Sequence, residues 1–179
     1  MQHTSLRKLI DPAGIAGGLP SFGASPAVLA GVGLLTGLAG SILIAVQHPV
    51  AGLAALLLGW LLLGWSGLVA ARIGASGLAA QLRVAFEFIV YASIPFAFAL
   101  AEPGRALAAG FLTFGIASLA ASSAKESQGL HVVEHGIARV AFAAACLWPN
   151  TFSIAAYVLG VLCFLAAGLR IARLTVSSS

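Results

Sequence analysis

The chain has 179 residues, 60% of them hydrophobic and only 8% charged, where a soluble domain carries roughly 25% charged residues. With a mean hydropathy of +1.05 it lacks the polar surface to cover itself in water, so its solvent is a bilayer and its size fits one membrane domain. Net charge is +4, but the basic residues are scattered at the ends of apolar segments, which speaks for membrane topology and against a nucleic-acid partner.

Residues 1–24 read as an N-terminal amphipathic segment on the cytoplasmic membrane surface. Leu6, Leu9, Ile10 and Ile15 fall near helical spacing with Arg7, Lys8 and Asp11 between them, and Pro12 and Gly17-Gly18-Leu19-Pro20 limit the helix. No short apolar core with a small-residue cleavage site precedes the first long span, so no cleavable signal peptide is expected. Six apolar segments follow over residues 25–173, each near the roughly 20 residues that a spanning helix needs. They run from about Pro26 to Val46, Val50 to Ala71, Gly77 to Leu100, Ala106 to Ser122, Leu130 to Trp148 and Phe152 to Leu169. Gln47-His48-Pro49, Glu102-Pro103-Gly104-Arg105 and Pro149-Asn150 carry turn chemistry between them. A polar tail is expected over 174–179.

The expected fold class is therefore all-α integral membrane, with six transmembrane helices and an interfacial helix. Arg7, Lys8, Arg72, Lys125, Arg170 and Arg173 gather on one side and Arg105 alone on the other, which places both termini in the cytoplasm under the positive-inside rule. Trp65 and Trp148 suit the interface, and Trp60 reads equally as interfacial or core. Cys146 and Cys163 lie in apolar runs and read as small buried hydrophobes.

Ionisable residues inside spans are costly and mark candidate sites. Arg83 and Glu87 are i, i+4 on the third span, one turn apart on one face, with Gln81 near the same end. They read either as a self-neutralising pair or as a polar site in which Arg83 meets a phosphate. The fifth span opens with His131-Val132-Val133-Glu134-His135 and continues to Arg139. The H-x-x-E-H spelling is that of a zinc peptidase, but no acidic third ligand follows Glu134. Pairing of Glu134 with Arg83, Arg139 or Arg72 across helices is the simpler reading.

Together these residues resemble the CDP-alcohol phosphatidyltransferases, six-span membrane enzymes of phospholipid biosynthesis with an N-terminal amphipathic helix, usually homodimeric. Leu9-Ile10-Asp11-Pro12, Leu29-Ala30-Gly31, Phe88-Ile89-Val90-Tyr91-Ala92-Ser93-Ile94-Pro95 and the closing Arg170 look family-like, so the resemblance covers nearly the whole chain. The family motif is D-G-x-x-A-R, then about eight residues, then G-x-x-x-D-x-x-x-D. Set on it, the aspartates fall at Leu63, Ser66, Arg83 and Glu87; Gly67 is retained, the A-R pair falls at Ala70 and Ala71 with Arg72 one step late, and the later glycine falls near Ala79.

The resemblance implies a divalent metal, Mg or Mn, held by those aspartates against the CDP pyrophosphate, with the last one as base. Such hard ions take oxygen ligands, usually with carboxylates among them. Leu63 offers none, Ser66 a neutral hydroxyl, and Arg83 a positive charge; at about 4 Å two unit charges repel by roughly 4 kcal/mol at an effective dielectric near 20, and a divalent ion doubles this. The expectation is a relative that has lost catalysis, with no metal and no cofactor, serving to bind lipid or to act as a partner subunit in the inner membrane. Ser66, Gly67, Arg72, Arg83 and Glu134 are the candidate substrate-binding positions, and Glu87 is catalytic only if activity survives. One alternative is a divergent active transferase in which Glu87 is the base and Arg83 and Arg72 grip the pyrophosphate. Another is a purely structural subunit of a larger membrane complex.

Overall fold

Prolines and a glycine set where the helices begin and end. In the computed structural model, which describes residues 25–74, 77–122 and 129–177, α1 runs over Pro26–Ala45. Ser25 caps it, its Oγ accepting from the Val28 backbone N–H at 3.2 Å, and Pro26 fills the first turn, where no N–H is needed. The turn Val46-Gln47-His48 reverses the chain through Gln47 at φ +64°, and Pro49 opens α2 (Pro49–Arg72). Gly74, at φ +61°, lies just past the end of α2 in the left-handed conformation that commonly closes a helix. Helix α3 is Gly77–Ala101, α4 Ala106–Ser122, α5 Gly129–Leu147 and α6 Phe152–Ser177, with single 3₁₀ turns at Pro103–Arg105 and Pro149–Thr151.

These bounds lie within a residue or two of the expected ones, except that α6 continues eight residues past Leu169 into the expected polar tail. Arg170, Ala172 and Arg173 are good helix formers, and no proline or glycine interrupts them. Pro95 sits inside α3 without ending it. A membrane helix tolerates the lost backbone bond because neighbouring helices shield and re-satisfy the freed carbonyl. The amphipathic segment expected over 1–24 lies outside the described residues. Among the described residues, five stretches are long and apolar enough to cross a membrane: Pro26–Ala45, Pro49–Arg72, Arg83–Ala101, Pro103–Ser122 and Pro149–Ala172. The described apolar part of α5, Gly136–Leu147, is shorter.

In lipid, burying a leucine against protein gains little, because the tails are equally apolar; close packing and polar links hold the bundle instead. Helices α1 and α2 form a hairpin on glycine contacts. A Cβ placed on Gly40 would stand 2.8 Å from the Gly52 carbonyl oxygen, and one on Gly59 would stand 2.9 Å from that of Gly33. Helices α4 and α6 meet in the same way at Gly115 and Gly160. Helix α3 lies between the two pairs, packed on α1, α2 and α4. The hydroxyls of Ser41 and Ser93 bond at 2.7 Å across α1 and α3. Leu56, Leu63, Val90, Ile94, Phe98 and Phe142 form the fully enclosed core.

At one end of the bundle the three short turns converge. The Gln47 amide donates to the Ala101 carbonyl at 3.2 Å, Arg105 pairs with Glu102 at 2.6 Å and lies over the Phe98 ring, and Phe98 stacks on Phe152 at 4.2 Å. Trp148, 64% exposed, flanks this end as an interfacial tryptophan does. The opposite end carries Arg72, Arg83 and the start of α5.

Candidate functional site

Residues 83, 87 and 91 recur every fourth position on α3, which puts them on one face over two turns. Glu87 is 6% exposed. Its Oε1 accepts from Arg139 Nη2 at 2.6 Å, and its Oε2 faces Arg83 Nη1 at 3.5 Å. The Arg139 Nε–H donates to the Tyr91 hydroxyl at 2.9 Å. The same guanidinium lies 5.6 Å from the centroid of the Trp60 ring, which is 4% exposed and tilted against Tyr91 at 5.9 Å. Trp60 is thus core, reached from α2. Its Nε1–H has no acceptor among the described residues. Among the described residues, one carboxylate stands between two guanidiniums, an excess of one positive charge.

Arg83 is the more loosely held of the two cations on Glu87, its bond at 3.5 Å against 2.6 Å for Arg139, and its side chain is 30% accessible. It lies along Gly67 of α2: a Cβ there would come within 3.2 Å of Arg83 Cδ and Nε. Gly67 therefore makes room for the arginine. Ser66 is buried, and its hydroxyl donates to the Leu63 carbonyl of its own helix at 2.7 Å. Leu63 is 1% exposed and packs where the backbones of α1 and α2 approach at Gly33. Arg72 is exposed at the last turn of α2.

The structure thus brings together Gly67, Arg83 and Glu87, and seats Ser66 in the core behind them. Glu134 lies on α5 a turn and a half before Arg139, but its side chain, like those of Gln81, His131 and His135, is outside the described residues. Among the described residues, the carboxylate that Arg139 engages is Glu87 of α3. The pairing spans 52 positions of sequence, and no local spacing announces it. Tyr91 and Trp60 were missed as site residues for the same reason. Arg170, counted among the interfacial charges, is 3% exposed.

Beyond Tyr91 from this cluster, α3, α4, α5 and α6 line an apolar recess of about 250 Å³.

Fold and site together define an all-helical integral membrane protein with an arginine–glutamate–arginine cluster inside one end of its bundle. No family model matches the chain, and no solved structure matches it. The Escherichia coli (strain K12) inner membrane protein YnjF is 30% identical over an aligned 169 residues, covering 83% of this chain and 82% of YnjF. The chain belongs to the family of which YnjF is a member.

Proposed function

We propose that this protein is a non-catalytic relative of the CDP-alcohol phosphatidyltransferases that binds the anionic headgroup of a membrane lipid at Arg83. In this reading six helices cross the inner membrane, α5 included, with both termini cytoplasmic. An inner-membrane relative, YnjF, and the gathering of Arg72, Lys125, Arg170 and Arg173 on one side support that placement.

The observation that carries the reading is the occupied carboxylate. Glu87, the one motif position that keeps an acid, is held at 2.6 Å by Arg139 and flanked by Arg83. The residues around it do not fit a divalent cation. Leu63 presents hydrocarbon, the Ser66 hydroxyl is turned back onto its own helix, and Arg83 brings a like charge to the place of a ligand. A base also needs a free lone pair directed at its substrate, and here both oxygens of Glu87 face guanidinium groups. What the cluster does offer, among the described residues, is one cation in excess, on a side chain 30% accessible whose guanidinium carries more donors than its one 3.5 Å contact uses.

Purified protein incubated with CDP-diacylglycerol, an alcohol acceptor and Mg²⁺ or Mn²⁺ is expected to release no CMP above a boiled control. Metal-dependent release that disappears in Glu87→Gln would overturn the proposal.

A further inference from the structure

We propose that the cavity between α3, α4, α5 and α6 is a binding site for one acyl chain of a membrane phospholipid. This goes beyond the headgroup reading and rests on the cavity's own lining, with Tyr91 the residue it shares with the ionic cluster. The walls are hydrocarbon and aromatic: Phe88 on α3, Ile116 on α4, Ala138 and Phe142 on α5, Leu162 and Ala166 on α6. Apart from the Tyr91 ring and Cys163, the lining is aliphatic or phenyl, so nothing in it favours water over a methylene chain.

Its mouth faces the bilayer. Ile137 and Leu162 both line the cavity and stand 52% and 48% exposed on the outer apolar surface, so the space is continuous with the surface that lipid tails cover. A helix of a second copy is a poorer occupant. The cavity is a recess among four helices with a volume of about 250 Å³, which suits a narrow flexible chain and not a helix about 10 Å across. The surroundings also complement a phospholipid in charge. Tyr91 is shared between the cavity and the ionic cluster, and Ala138 in the wall is followed by Arg139, so a chain here lies beside the guanidinium of Arg139.

The test uses the full chain reconstituted in vesicles doped with phosphatidylglycerol or phosphatidylcholine bearing a photoactivatable diazirine midway along one acyl chain. Adducts are mapped by mass spectrometry. Saturable labelling of Phe88, Ile116 or Ala166, competed by unlabelled lipid, is expected. It should fall on the order of ten-fold when Ala138→Phe or, separately, Ala166→Phe fills the recess, while labelling of the outward Leu107 and Val140 is unchanged. Labelling confined to Leu107, Val140 and similar outward residues, or identical in wild type and both filled variants, would overturn the proposal. So would capture of the wall residues by cross-links to a second copy of the chain. The two headgroups separate this inference from the preceding one. Equal labelling of the cavity by both lipids leaves the acyl-chain site standing and argues against anion selection at Arg83. A preference for phosphatidylglycerol that Arg83→Gln abolishes supports both.

Discussion

Arg139 is the residue on which the ionic cluster depends. It reaches Glu87 at 2.6 Å and Tyr91 at 2.9 Å and covers the Trp60 ring, so three helices meet at one guanidinium. Removing the partner of a buried carboxylate costs up to about 3–5 kcal/mol. The Glu87 side chain is 8% exposed, but that of Arg139 is 37% exposed and Arg83 remains near the carboxylate, so the cost here falls below that range. Arg139→Gln is therefore expected to lower the thermal unfolding temperature in detergent, and Glu87→Gln added to it should restore much of the loss. Two single-variant losses that simply add would refute the coupling. Arg83→Gln breaks only a 3.5 Å contact on a partly exposed side chain. Its stability cost is expected to be about 1 kcal/mol or less, so the variant is clean enough for the lipid-selectivity test. At this scale the sequence was half legible. The i, i+4 spacing of Arg83 and Glu87 is a local rule, and the pair is present. The shorter bond is to Arg139, and the packing that brings α5 to α3 is not written in any window around either residue.

Among the helices, the α1–α2 hairpin is the tightest unit, and its glycines are what permit the approach. Adding side-chain bulk to a packed interface costs typically about 1–3 kcal/mol. Gly40→Leu and Gly59→Leu are expected to lower the unfolding temperature in detergent, because carbonyl oxygens stand within 3.0 Å of where each Cβ would go. Gly31→Leu and Gly64→Leu, on the same two helices with nothing within 4 Å, should have little effect. Equal losses in all four would mean that helix propensity, not the interface, decides. A count of 21 glycines predicts close helix contact in general. Which of them serve it depends on the rotation of each helix about its axis, and the near-uniform apolarity of α1 and α2 hides that rotation from the sequence. The helix ends, by contrast, were legible nearly to the residue. Pro26, Pro49, Pro103 and Pro149 each act locally, by a missing N–H and a fixed φ.

For the whole molecule, the testable matter is sidedness. With Cys146 and Cys163 replaced by alanine, a membrane-impermeant maleimide added to intact spheroplasts is expected to label Gln47→Cys and Asn150→Cys. It should reach Ser127→Cys only after lysis. Labelling of Ser127→Cys in intact cells would invert the orientation, and labelling of Gln47→Cys without Asn150→Cys would remove α5 from the set of spans. The bilayer itself made the architecture legible, since helices alone satisfy every backbone group within a short segment of chain. The same solvent conceals what lies between the helices. Hydrocarbon-facing and cavity-facing residues are drawn from one alphabet, so Ile116 and Leu162 carry no mark that sets them apart from Leu107.

The 52 residues that separate Glu87 from Arg139 also impose an order on biogenesis. Ribosomes add roughly 5–20 residues per second, so α3 enters the membrane about 3–10 s before its closest counter-charge has been made. A carboxylate carried alone into the centre of a bilayer costs roughly 3 kcal/mol on insertion scales. Arg83 is the one cation already present on the same helix, a single turn away, and so the counter-charge at hand for Glu87 in those seconds. In the finished protein both cations hold the carboxylate, Arg139 at 2.6 Å and Arg83 at 3.5 Å, so the partner made last holds it the more tightly.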